Sequence, residues 1–211
     1  GEIEYTVWSE VFTCPECSEE IVFSEHALDF ETKNVKKDFS CPGCNTLLTK
    51  RSLIRYEESY FDEISGRQEK RTKRSPILIV YKVDGKRYEK RPDDNDRELI
   101  DKIDAESVGQ EFPHYRMMNN ESDVDSWGDK WRSGTASFRY VHQLFLKRQL
   151  IALESLWRLA NKVEDDDVRS FVKFCMEQAI MGMTLLARYV PSHFSQVNQY
   201  MTGVYYVASQ H

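Results

Sequence analysis

The sequence predicts an α+β chain in which a lobe of short strands and β-hairpins precedes an α-helical lobe. Three observations carry this reading. Two C-x₂-C pairs, Cys14/Cys17 and Cys41/Cys44, sit among short β-rich runs. Asp84-Gly85 separates two further β-rich runs, and this dipeptide favours a tight hairpin turn because both positions accept positive φ. From Lys147 to Tyr189 the apolar residues recur at helical spacing.

The cysteine pairs are the most specific signal. Pro15 and Pro42 follow the first cysteine of each pair, and the small polar residues Ser18 and Asn45 follow the second. This is the pattern of a zinc knuckle, a tight turn that aims backbone N–H groups at sulfur. Two knuckles supply a closed four-thiolate shell, which marks structural rather than catalytic zinc. Two disulfides are the competing reading. Five cysteines in 211 residues are too sparse for a disulfide-built domain, and the acidic start Gly1-Glu2-Ile3-Glu4 does not read as a secretory signal. The interval Ser18–Ser40 is longer than usual for a ribbon, and the excess reads as an insertion around Glu25–Lys37. Cys175, in an apolar helical run, is expected in a buried core.

The elements follow in order. Tyr5–Phe12 leads as a strand into the first knuckle, Glu20–Ser24 leaves it, and Thr46–Lys50 leaves the second. Strands this short need a metal in place of the core they cannot build. Ser59–Ile64 and Gln68–Lys73 flank a turn at Ser65-Gly66-Arg67, and Pro76–Val83 and Lys86–Lys90 flank Asp84-Gly85. Asp93–Ala105 reads as a short helix with acidic residues at its start. Glu106–Gly134 shows little periodicity, and a long connection of that kind is usually functional or mobile. Lys147–Val163 is a helix whose face comprises Leu150, Ile151, Leu153, Leu156, Trp157, Leu159 and Ala160. The acidic run Glu164–Asp167 turns into a second helix, Val168–Tyr189, which Pro191 ends. The expected divisions are a ribbon over 1–56, hairpins and a short helix over 57–105, and a helical lobe over 106–211 that closes in a strand-like segment. That terminal segment, Tyr200–Ala208, reads as a place where a longer protein has been cut.

Charge narrows the function classes. The 29 basic and 35 acidic residues give a net charge of −6, so nucleic-acid binding requires a local patch. One candidate is the pair of hairpins carrying Arg67, Lys70, Arg71, Lys73 and Arg74, then Lys82, Lys86, Arg87, Lys90 and Arg91. Clustered cations of this kind can track a phosphate backbone. A solvated hairpin face diluted by Glu57, Glu69 and Glu89 is the alternative. His142 and Lys147-Arg148-Gln149 surround a helix start, where a phosphate or carboxylate could sit; a core histidine and an internally paired Arg148 would give the same sequence. The longest apolar region, Phe171–Val190, is broken by Lys173, Glu177, Gln178 and Arg188 and does not read as a membrane span. A reduced, cytoplasmic protein is expected. No nucleophile triad and no glycine-rich phosphate loop stands out.

A set of motifs taken in order resembles one family. It comprises Glu4–Trp8 (EYTVW), the two knuckles, Lys86–Pro92 (KRYEKRP), Trp127–Arg132 (WGDKWR), Val141-His142 with Phe145 and Lys147-Arg148, Tyr189–His193 (YVPSH) and Thr202–Tyr206 (TGVYY). In this order they resemble the middle of the zinc-ribbon-containing, adenine-specific DNA methylases, S-adenosylmethionine-dependent enzymes of the N4/N6 amino-methylating class. The resemblance covers nearly the whole chain. It departs at Leu146, where the family usually carries a helix-capping Thr. It departs further in lacking a cofactor loop of the F-x-G-x-G type and any Pro-Pro-aromatic motif.

The resemblance therefore implies a segment of a larger methyltransferase, with structural Zn²⁺ on Cys14, Cys17, Cys41 and Cys44. S-adenosylmethionine would bind only in the parent enzyme, and no residue here is assigned a catalytic role. The implied contribution is to position DNA, with Arg67, Lys70, Arg71, Lys73, Arg74, Lys86 and Arg87 as contacts, or to scaffold the remainder of the methyltransferase chain. The competing expectation is a non-enzymatic zinc-ribbon module that binds protein.

Overall fold

A computed structural model describes residues 1–29, 32, 34–109, 111, 113–115, 138–185, 187 and 189. The motifs at Trp127–Arg132 and Thr202–Tyr206, and Pro191 with its neighbours, lie outside the described residues. The chain divides into two compact units. The first comprises Gly1–Tyr60 and Lys70–Ile100; the second comprises Phe61–Glu69 and the described residues from Asp101 onward.

The first unit is built on one long strand, β1 (Glu2–Thr13). Its amino-terminal part pairs antiparallel with β8 (Arg74–Val83), from Glu2 against Lys82 to Glu10 against Arg74. Its carboxy-terminal part pairs with β2 (Glu20–Val22) and β5 (Ile54–Arg55). Residues 1–56 and 57–105, read as separate segments from sequence, thus contribute β1 and β8 to one sheet. The run Ile77, Leu78, Ile79 and Val80 of β8 is buried at every position, as expected of a strand covered on both faces. Across the turn at Asp84 (φ 49°) and Gly85 (φ 77°), β9 (Lys86–Lys90) completes the sheet. Both turn residues take the left-handed conformation, and the sheet's right-handed twist favours that geometry in a two-residue loop. The edge strand β9 is charged, a composition that discourages edge-to-edge pairing.

The ribbon adds a short helix, α1 (Phe23–Ala27), and a two-stranded sheet of β3 (Asp38–Ser40) and β4 (Leu47–Thr49). The expected strand Glu20–Ser24 is therefore cut short: the chain turns helical at Phe23, where Ser24 and Ala27 are buried. The insertion around Glu25–Lys37 is α1 followed by a bridge between Leu28 and Val35. Cys14, Ile21, Ala27, Phe39, Cys41 and Leu48 form its apolar core, with Phe23 and Leu53 against it. Six residues are a small core, and two of them are the leading cysteines of the knuckles.

In the second unit β6 (Glu57–Asp62) and β7 (Arg67–Thr72) form a hairpin whose distal part, Phe61–Glu69, belongs to this unit. Its turn closes at Gly66 (φ 66°). Helix α2 (Asp94–Ala105), the expected short helix, begins in the first unit and ends in the second. A 3₁₀ turn over Val141–Leu144 precedes α3 (Lys147–Asn161). Asp165 caps α4 (Asp166–Met183) by accepting hydrogen bonds from the Asp167 and Val168 N–H groups; the acidic run, read as a turn before a helix from Val168, thus supplies both the cap and the first helical residues.

Three expectations are corrected here. Helix α4 ends at Met183, where Thr184 turns extended and the Leu185 N–H donates to the Leu144 carbonyl at 2.7 Å; a tertiary bond, not Pro191, stops it. Of the predicted α3 face, Leu150, Leu153 and Ala160 are buried while Leu156, Trp157 and Leu159 are exposed, so the face is narrower than its sequence pattern. Cys175 is exposed rather than core, on a side of α4 that also exposes Phe171 and Phe174.

Candidate metal centre

Each knuckle is fixed by the same two backbone bonds. The Cys14 N–H donates to the Glu19 carbonyl at 2.9 Å, and the Ser18 N–H to the Cys14 carbonyl at 3.0 Å. In the second knuckle Cys41 and Thr46 are bonded at 2.9 Å, and Asn45 and Cys41 at 3.0 Å. Ser18 (φ 62°) and Asn45 (φ 60°) occupy the left-handed region, which short polar residues tolerate better than bulky ones. The residue after each second cysteine is thus chosen by backbone conformation, as the sequence pattern indicates.

The four sulfurs converge. All lie within 4.8 Å of one another. Cys14 Sγ and Cys44 Sγ are 3.8 Å apart, and Cys17 Sγ and Cys41 Sγ are 3.6 Å apart. A disulfide requires a sulfur separation of about 2 Å, and all five cysteines are free. A regular tetrahedron with metal–sulfur bonds of about 2.3 Å has edges of about 3.8 Å. These two separations are close to that edge, so the thiols fit one metal ion. Cys14 and Cys41 are buried beneath the site, and Cys17 and Cys44 form its exposed rim.

The surroundings favour thiolate at one corner and oppose it at another. The Thr46 hydroxyl, 3.3 Å from Cys44 Sγ, and the Thr46 backbone N–H together lower the Cys44 pKa to about 6. The Glu19 N–H likewise favours the Cys17 thiolate, but burial and the neighbouring Cys44, Cys41 and Cys14 outweigh it and push Cys17 up to about 12. Four thiolates cannot crowd together unneutralised; a cation removes that penalty and releases protons as it binds. Among the described residues no other His, Cys, Asp and Glu group could hold a metal ion.

The sequence-predicted basic residues are placed on the hairpins, where most engage carboxylates or backbone. Lys70 lies 4.0 Å from Glu57, Arg71 2.6 Å from Glu58, Lys73 2.7 Å from Glu20 and Arg87 2.6 Å from Glu4. Arg74 donates to the Thr72 carbonyl at 3.2 Å, and its burial lowers its pKa. Arg71 and Lys73 also lie over the Tyr60 and Tyr56 rings. Exposed pairs of this kind add little stability, but they divide the positive charge among many acids. Arg67 and Lys86 are exposed beside the two hairpin turns.

His142 is the core histidine that the sequence offered as one reading, and it belongs to a second polar cluster. His142 Nε2 lies 2.8 Å from Asp62 Oδ2, with both side chains almost wholly buried. Gln143 Nε2 donates to the same oxygen at 3.3 Å, and the Ile64 and Ser65 N–H groups donate to Oδ1. Lys147 bonds Glu63 at 3.2 Å and the Asp104 carbonyl at 2.8 Å, and Arg139 stands 3.6 Å from the buried Glu69. Leu146 has no side chain that can cap α3, and its N–H donates to Gln149 Oε1 at 2.8 Å. His142 drew notice in the sequence, but its partner lies 80 residues away, and no local pattern announces such a pair.

No protein-family model, no curated protein and no solved structure matches this chain. No helix among the described residues is long and apolar enough to cross a membrane.

Two outcomes follow from this geometry. Thr46→Val should weaken metal binding by about tenfold, as loss of a group bonded to a metal ligand commonly does, read by titration with Co²⁺ as a coloured probe; unchanged affinity would deny Thr46 its role. Burial pushes the Asp62 carboxyl up, but its bonds to His142 and the Ser65 N–H outweigh this and hold it well below the usual range. A depressed carboxylate stabilises above its unfolded pKa of about 4 and loses that contribution as pH falls below it. Asp62→Ala should therefore destabilise the second unit by about 3 kcal/mol at pH 7 and flatten its acid unfolding limb, measured by denaturant melts across pH.

Proposed function

We propose that this chain is a zinc-bearing segment of an S-adenosylmethionine-dependent, adenine-specific DNA methylase, serving as a scaffold rather than carrying catalysis. The observation that carries the zinc assignment is the convergence of four thiols at tetrahedral spacing. Thiolate donors suit Zn²⁺, and a shell closed by four of them leaves no position for a substrate or activated water. The methylase assignment rests on the ordered motifs, from Glu4–Trp8 through Lys86–Pro92 to His142 and Lys147-Arg148.

Scaffolding is favoured over DNA contact through the hairpins. Lys70, Arg71, Lys73 and Arg87 already face carboxylates, and phosphate binding would have to compete with them. Base chemistry in duplex DNA needs the base extruded, and the surfaces that grip the flanking backbone then fall to the rest of the parent chain. A protein-interaction module outside any methylase is the second reading, favoured by the exposed Phe171 and Phe174 of α4.

The zinc assignment predicts one Zn²⁺ per chain by elemental analysis. Cys41→Ser should abolish it and unfold the ribbon while α3 and α4 keep their circular-dichroism signal; a folded ribbon without metal would refute the assignment. The scaffold reading predicts no calorimetric signal with S-adenosylmethionine and no anisotropy change with duplex DNA at low salt. DNA binding that weakens steeply with salt, by about 0.9 in the log–log slope per phosphate contact, and that Arg67→Glu/Lys86→Glu diminishes, would make DNA positioning the role.

A further inference from the structure

We propose that the end of the ribbon remote from the cysteines binds an acidic segment of polypeptide through Lys36, Lys37, Lys50 and Arg51. The register of β3 and β4 assembles this group. Asp38 pairs with Thr49 at the last step of the ladder; the next positions outward are Lys37 and Lys50, then Lys36 and Arg51. Both segments are pinned. The Lys36 N–H donates to the Ala27 carbonyl at 2.7 Å. Lys50 and Arg51 occupy the tip of a turn that Thr49 and Ser52 close: the Ser52 N–H donates to the Thr49 carbonyl at 3.0 Å, and the Thr49 N–H donates to Ser52 Oγ at 2.9 Å. All four cations are exposed.

Their charge is not neutralised locally. Among the described residues none of the four has a carboxylate partner, in contrast to Lys70, Arg71, Lys73 and Arg87 on the later hairpins. Asp29 and Asp38 lie in the same part of the ribbon, but neither forms an ion pair with them; Asp29 accepts from the Thr32 N–H at 3.1 Å. Lys50 Nζ stands 5.3 Å from the centre of the Phe23 ring, which orients the ammonium without cancelling its charge. Like charges opposite one another destabilise a pair of strands. In a lobe with so small an apolar core this is a real cost, and a local rule broken without compensation inside the chain points to a function.

The placement of the acids selects the partner. Glu16 and Glu19 are exposed on the first knuckle, and Glu19 also stands against Gly43 of the second, 3.2 Å from where a Cβ would be. The ribbon is therefore acidic at its metal end and basic at the other, about 10 Å away along β3 at about 3.3 Å per residue. That separation exceeds the screening length of about 8 Å at physiological salt, so a short acidic segment can engage the basic end alone. A DNA duplex is a stiff polyanion with one charge about every 1.7 Å and calls for a longer track of cations. The hairpin cations that would extend the track already face carboxylates. Val35, 57% exposed beside Lys36, adds an aliphatic contact that suits a peptide side chain better than a phosphate. This inference goes beyond the methylase reading and does not rest on it; it names the chemistry of a partner that a scaffold would hold.

The test is fluorescence anisotropy of labelled peptides titrated with the zinc-loaded 211-residue chain. The probe alternates glutamate and valine over about twelve residues, enough to cross the basic end at about 3.3 Å per residue; its counterpart carries glutamine in place of glutamate. The glutamate peptide should bind with a micromolar dissociation constant at low salt and lose affinity as salt rises, and the glutamine peptide should bind about tenfold more weakly or worse. Lys37→Glu and Arg51→Glu should each weaken binding by about tenfold. Lys102→Glu, the same charge change at an exposed position of α2, should leave it unchanged. Lys37→Glu also sets opposite charges across the register, so this variant should keep its zinc and melt no lower than the parent; its loss of binding then reports the contact and not the fold. No binding of the glutamate peptide at low salt would overturn the proposal, as would equal binding of the two peptides or indifference to both reversals. Tighter binding of a single- or double-stranded oligonucleotide, lost in the same variants, would overturn it too and assign the basic end to nucleic acid. None of these outcomes bears on zinc stoichiometry or S-adenosylmethionine binding in the parent chain, so failure here is distinct from failure of the methylase reading.

Discussion

The ribbon depends on holding four thiols at one point. Cys14 and Cys41 have two roles at once: they open the two knuckles, and they form part of the six-residue apolar core with Ile21, Ala27, Phe39 and Leu48. A core that small does not offset the conformational entropy of ordering β2, α1, β3 and β4. An ion gripped by all four sulfurs supplies the missing term, because its binding free energy becomes folding free energy when no site exists in the unfolded chain. The same convergence without an ion is a penalty, since like-charged thiolates repel. On the zinc assignment proposed above, metal binding and folding of this lobe are one event.

From that point the order propagates through β1. The strand's carboxy-terminal end runs into the first knuckle at Cys14, and its amino-terminal part pairs with β8 over Glu2–Glu10. The ribbon and the main sheet share a backbone strand, so disorder at the knuckle withdraws the partner of β2 and β5 and loosens one end of the strand that β8 needs. The second unit has a polar centre of its own. Its organising contact is the buried Asp62–His142 pair, supported by Gln143 and by backbone N–H groups in the hairpin turn. A buried charge held this way stabilises little against an apolar replacement but costs several kcal/mol to half-remove, which fixes the partner rather than strengthening the fold.

Local chemistry decided what the sequence could reveal. The knuckles were legible because C-x₂-C spacing, Pro15 and Pro42, and the left-handed Ser18 and Asn45 are all short-range requirements. Asp84-Gly85 and the acidic run before α4 were legible for the same reason. Phe23, by contrast, reads as the continuation of a strand, yet burial of Ser24 and Ala27 pulls the chain into helix. The Asp62–His142 pair joins residues far apart in sequence and left no trace there. Periodicity predicted the apolar stripes of α3 and α4 but not their cover: Leu150 and Leu153 found partners, whereas Phe171 and Cys175 did not. An apolar pattern reports that a face needs burial, and nothing in it says which chain provides the burial.

X-ray absorption at the metal edge of the purified chain tests the central claim most directly. One zinc surrounded by four sulfurs at about 2.3 Å, with no oxygen or nitrogen neighbour, is the spectrum this account predicts. A mixed sulfur–oxygen shell, or a metal-free chain in which Cys14, Cys17, Cys41 and Cys44 are paired as disulfides, would contradict it.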